Sequence, residues 1–109
     1  MGGETLGLQH KTETMLKGLP QLDPKGLHGL GDSLAGTNRA TLLAFADTLE
    51  RWMTAQLKAS GAGADLARLA RLAEVWENVA RAVRETQEFN LERKPLVFSV
   101  FGMLAEAMR

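Results

Sequence analysis

The chain has 109 residues, 45% hydrophobic and 24% charged, a balance that suits one globular domain with a single core. Thirteen basic residues match thirteen acidic ones, so no overall field draws the chain to nucleic acid or to an anionic membrane. Cysteine is absent, which excludes a disulfide framework and thiolate-ligated zinc and fits a reducing compartment. No apolar run approaches the roughly 20 residues that a bilayer span needs. Met1-Gly2-Gly3-Glu4 has neither the basic nor the apolar region of a signal peptide, and the expected setting is the cytoplasm.

Helix-favouring residues dominate and β-branched residues are scattered, so the chain reads as all-α, five helices in an orthogonal or bundle-like array. The first helix is expected over about residues 4–18, with Leu8, Met15, Leu16 and Leu19 inward, and ends near Gly18-Leu19-Pro20. Asp23-Pro24 opens the second: Asp accepts from first-turn amides, and Pro lacks an N–H that would be unpaired there anyway. Gly26, Gly29 and Gly31 weaken it by about 1 kcal/mol each relative to Ala, so packing of Leu27, Leu30 and Leu34 must hold it. Gly36 closes it. Thr37 or Asn38 caps the third helix, which runs to about Ala59 with Leu42, Phe45, Ala46, Leu49, Trp52, Met53 and Leu57 in one stripe.

Ser60-Gly61-Ala62-Gly63 is the flexible break before a fourth helix from about Asp65 to Glu88. Its buried face comprises Leu69, Leu72, Ala73, Trp76, Val79, Ala80 and Val83. Its arginines, Arg68, Arg71, Arg81 and Arg84, alternate with Glu74, Glu77, Glu85 and Glu88. Glu77–Arg81, Arg81–Glu85 and Arg84–Glu88 are spaced as i, i+4 pairs on a solvated face. A phosphate-tracking surface would segregate positive charge, so nucleic-acid binding is not expected, Arg93 and Lys94 notwithstanding.

The fifth helix begins near Lys94-Pro95. Val97, Val100, Phe101, Leu104 and Met108 centre its apolar arc, and Leu96, Phe98, Met103 and Ala105 widen it to roughly 220°. Ser99, Gly102, Glu106 and Arg109 form the polar strip. A helix docked on one surface needs a little over roughly 100° of apolar arc. Either this helix is central in the bundle or its flanks meet another chain. Val97, Val100, Phe101 and Leu104 are expected inside, and Leu96, Phe98 and Met103 are the candidate partner-binding residues.

Catalytic chemistry finds little footing. The segment from Gly31 to Asn38 has the glycine spacing of a phosphate-binding loop, but Thr37 replaces the lysine and no strand precedes it. It reads as a helix end followed by a cap. His10 and His28, the only histidines, stand apart from other ligand types and read as solvent-facing. Glu85 and Glu88 are surface charge, no Ser or Thr sits in a nucleophile elbow, and Trp52 and Trp76 read as core. No enzyme activity, metal or cofactor is expected.

Two stretches carry a resemblance. "LARLAEVWENVARAVRETQEFNLERKPLVFSVFGMLAEAMR" (residues 69–109) resembles the C-terminus of bacterial DNA polymerase III delta-prime subunits. There a Trp-Glu helix leads through an Asn-Leu-(Asp/Glu)-Arg-Lys turn into an apolar last helix. Trp76, Glu77, Asn90, Leu91, Glu92, Arg93 and Lys94 match, with Phe98 and Phe101 following. "LPQLDPKGLHGLGDSLAG" (residues 19–36) resembles that family's Leu-Pro-x-Leu-Asp connection and leucine-rich next helix. The resemblance implies the helical collar domain of a clamp loader, the pentameric ATP-driven machine that places the sliding clamp on primed DNA. Its implied partners are the collar domains of gamma/tau-type and delta-type subunits. The family's AAA+ features have no counterpart here: no phosphate-binding loop, zinc cysteines or Ser-Arg-Cys motif. The expectation is therefore one collar domain, a fragment of a larger subunit, that serves oligomerisation without catalysis. A stand-alone helical interaction or homodimerisation module is the alternative.

Overall fold

The computed structural model describes residues 2–36, 38–60 and 66–108. These form five α-helices: α1 (Gly2–Lys17), α2 (Pro24–Leu34), α3 (Arg39–Ser60), α4 (Leu66–Glu88) and α5 (Arg93–Met108), with no strand among the described residues. The all-α expectation holds. Thr37, the Gly61–Gly63 break, Asp65 and Arg109 lie outside the described residues.

Local chemistry sets the boundaries. Past Lys17, Gly18 and Leu19 donate their N–H groups to the carbonyls of Met15 and Leu16, tightening the last turn of α1 before Pro20. Asp23 caps α2, its Oδ1 accepting from the Lys25 N–H at 3.2 Å, and Pro24 takes the first helical position. Gly36 follows the end of α2 with φ +99°. Asn38 then caps α3, Oδ1 accepting from the Ala40 N–H at 2.9 Å. At the end of α4, Asn90 adopts φ +51°, and the Leu91 N–H reaches back to the Thr86 carbonyl at 2.9 Å. That bond spans five residues and is the 6→1 closure of a Schellman turn, for which Asn is the usual substitute for Gly. It reverses the chain so that α5 starts at Arg93, one residue before Lys94.

The packing order is a ring. α1 lies on α2 and α3, α3 on α4, α4 on α5, and α5 on α2, while α2 also touches α3. Leu8, Leu16, Leu30, Leu34, Phe45, Met53, Leu72, Val79 and Phe101 fill its single core. Trp52, Trp76 and Leu19 are half-buried against that core, whereas Leu57, expected inward, is exposed. On α4 the expected face is only partly buried: Leu72 and Val79 are inside, and Ala73 is exposed.

Threonines complete the interior where an apolar reading would leave gaps. Thr12, Thr48 and Thr86 are buried, and each hydroxyl donates to the carbonyl four residues back, at 2.8 Å in all three cases. That bond satisfies the hydroxyl and leaves its methyl group to pack. No helix among the described residues is long and apolar enough to cross a membrane.

Candidate interaction surface

The α2–α5 seam brings together a buried guanidinium, an ion pair and an aromatic contact. Arg93, the first residue of α5, is 8% exposed. Its Nη1 donates to the Asn38 carbonyl at 2.7 Å, the Leu34 carbonyl at 3.2 Å and Thr41 Oγ1 at 3.3 Å. Leu34 ends α2, so its carbonyl has no partner inside the helix, and the guanidinium supplies one while opposing the negative end of the helix dipole. Arg93 thus ties the α2–α3 turn to the α4–α5 turn. A shallow recess of about 370 Å³ lies between these turns, lined by Ala35, Gly36 and residues 90–94.

One residue on, Lys94 Nζ bonds Asp32 Oδ1 at 2.9 Å across the seam. That hydrogen bond, and then the charge behind it, hold the Asp32 carboxyl below its ordinary range. Gly31 makes the approach possible: a Cβ there would stand 2.7 Å from Lys94 Cγ. Farther along, Phe98 meets His28 edge-on, ring centroids 5.1 Å apart and planes at 74°. His28 and His10 are both exposed, as expected of helical histidines facing solvent. Lys11 Nζ to Ser33 Oγ, at 3.0 Å, joins α1 to the outer side of α2.

The three candidate partner residues receive different places. On α5 the buried positions, Arg93, Leu96, Val97, Val100, Phe101, Leu104, Ala105 and Ala107, cover about half the helix circumference. α5 is therefore wedged between α2 and α4, which absorbs most of the wide apolar arc. Leu96 is 5% exposed, on the flank where Ala82, Glu85 and Thr86 of α4 approach. Met103 is half-buried against the core. Phe98, at 36% exposure, is the candidate left at the surface, on the α2 rim.

Sequence reasoning missed two exposed neighbours in the α4–α5 turn, Phe89 (64%) and Leu91 (50%). An apolar pair flanking the left-handed Asn90 was the available signal, since turn residues are usually polar. On α4, Glu77–Arg81, Arg81–Glu85 and Arg84–Glu88 do not close to within 4.0 Å. Ion pairs that do form among the described residues include Lys94–Asp32 and, on α3, Arg51–Asp47 at 3.1 Å. No group of three or more His, Asp or Glu side chains among the described residues converges as a metal site. The chain matches no family model, no curated protein and no solved structure.

Proposed function

We propose that the chain is a protein–protein association domain of the clamp-loader collar type, from a delta-prime-like subunit of DNA polymerase III. In this reading it joins the collar domains of gamma/tau-type and delta-type subunits in the cytoplasm and contributes assembly, with no catalysis, cofactor or direct nucleic-acid contact of its own. One observation carries it. The two stretches that resemble the family lie 33 residues apart in sequence, yet they meet along a single seam. Arg93 bonds Leu34, Lys94 bonds Asp32, and Phe98 packs on His28. The Asn-Leu-Glu-Arg-Lys turn has a structural task in that seam, and its two cations hold the second helix of the resembling pair.

Co-purification with clamp-loader subunits tests the reading. Joined to an AAA+ module, the domain is expected to enter a complex with gamma/tau-type and delta-type subunits. Phe98→Asp, at the exposed rim, is expected to weaken that complex at least about tenfold while leaving helicity intact. Absence of any complex would sink the clamp-loader reading. Unchanged assembly by Phe98→Asp would move the interface away from the α5 rim.

A further inference from the structure

α4 turns one flank to α3 and another to α5, and its remaining side carries charge in blocks. Along that side Arg71 is followed by Glu74 and Glu77, then by Arg81 and Arg84, then by Glu85, all exposed. The order has a property that an arbitrary mixture lacks: it is complementary to its own reversal. A second α4 running the opposite way, with a two-fold axis near Asn78 and Val79, sets Glu77 opposite Arg81 and Glu74 opposite Arg84. Arg71 then comes within one helical turn of Glu85. A parallel copy in register would set like charge against like. Because the intrahelical i, i+4 pairs are not closed, pairing with a second copy competes with solvent more than with existing bridges.

Apolar surface follows the same symmetry. Leu66, 81% exposed, is the first residue of α4, and Phe89 and Leu91, 64% and 50% exposed, follow its last. These three stand at the two ends of a helix of 23 residues, about 34 Å long. Antiparallel pairing carries Leu66 of each copy toward the Phe89–Leu91 end of the other. The ends then cover apolar area while the middle pairs charge.

We propose that the outer side of α4 is an isologous docking surface for a second copy of this chain, held antiparallel by Glu74 and Glu77 against Arg81 and Arg84. The proposal is independent of the clamp-loader reading and stands or falls without the other subunits. The experiment is sedimentation equilibrium on the chain and on two charge-reversed variants, E74K/E77K and R81E/R84E. The wild-type chain is expected to dimerise with a dissociation constant below about 100 μM, more weakly as salt rises. Each variant opposes like charges in its own dimer and is expected to self-associate at least about tenfold more weakly. An equimolar mixture of the two restores opposite charges at every one of these positions and is expected to dimerise at least as tightly as wild type. Circular dichroism checks that each variant folds. If a double variant does not, E77K and R81E replace the pair and are read in the same way. Three results would overturn the proposal: a wild-type chain that stays monomeric to about 1 mM, a variant that self-associates like wild type, or a mixture no tighter than its components.

Discussion

The α2–α5 and α3–α4 seams are built by different means. α3 and α4 are the longest helices, 22 and 23 residues, and their contact runs along apolar side chains. Between them Ala46, Leu49, Trp76, Ala80 and Val83, together with Glu50, Arg84 and Gln87, line a depression of about 180 Å³. At one end, Arg39 Nε and Nη2 donate to Gln87 Oε1 at 3.0 and 3.1 Å, in the amide orientation that satisfies both groups. α2 has 11 residues, three of them glycine, and cannot supply either length or propensity. Its leucines Leu27, Leu30 and Leu34 are buried, and its seam with α5 adds specific contacts: a buried guanidinium, an ion pair and a close approach at Gly31. A buried polar contact at the α2–α5 seam leaves its partner unsatisfied when it is lost, whereas loss of one apolar contact along α3–α4 leaves the rest in place.

Arginine replacement should break this difference most visibly. Arg93→Ala strands the Leu34 carbonyl, while the Asn38 carbonyl keeps its bond from Thr41 Oγ1, and the change is expected to cost about 2–3 kcal/mol in urea unfolding. Arg39→Ala, at an exposed position, should cost less than about 1 kcal/mol. Arg93→Lys keeps the charge but loses the planar fork and should recover only part of the loss, leaving about 1–2 kcal/mol. Equal effects at positions 93 and 39 would erase the distinction between the seams.

Two glycines of α2, separated by Leu30, sharpen it at smaller scale. Gly31→Ala places a methyl group against the Lys94 stem and is expected to destabilise by about 1–2 kcal/mol. Gly29→Ala meets nothing within 4 Å and should stabilise α2 by about 0.5–1 kcal/mol through propensity alone. Thermal midpoints moving in opposite directions would separate contact from propensity within one helix.

The smallest expected effect is the pH response of the ion pair. Lys94 lowers the Asp32 pKa in the folded chain. The contribution is therefore present above the unfolded carboxyl pKa and lost as pH falls through the lower folded value, an acid window beginning below about pH 4. Asp32→Asn should be slightly less stable than wild type at neutral pH, with the gap closing in acid. A gap that stays constant with pH would remove the ion pair from the account of the seam.

Legibility in the sequence follows distance along the chain. The Asp23-Pro24 start of α2 and the buried Val97, Val100, Phe101 and Leu104 of α5 could be read because caps and helical periodicity act within a turn or two. Arg93 could not. It reads as one more surface cation, and its acceptors on Leu34 and Asn38 lie 59 and 55 residues away. The buried threonines were hidden by their hydroxyls, although Thr12 sits at core spacing from Leu8, Met15 and Leu16. Of the candidate partner residues, the wheel placed Leu96, Phe98 and Met103 alike on the flanks of the arc. Only the neighbours, α4 beside Leu96 and His28 beside Phe98, distinguish them.

Closing the ring through α2 has a consequence for how the molecule opens. α2 joins α1 to α5, and its own helical preference is the poorest of the five because three glycines fall within 11 residues. Undocked, it has no reason to remain helical, so amide protection in α2 measures attachment to its neighbours. Hydrogen exchange should therefore find α2 and the first turns of α5 opening as one cooperative unit, distinct from the α3–α4 pair. In Arg93→Ala, protection in both should fall together while α3 and α4 hold theirs. The weakest helix would then mark the boundary between two exchange units inside one ring of helices.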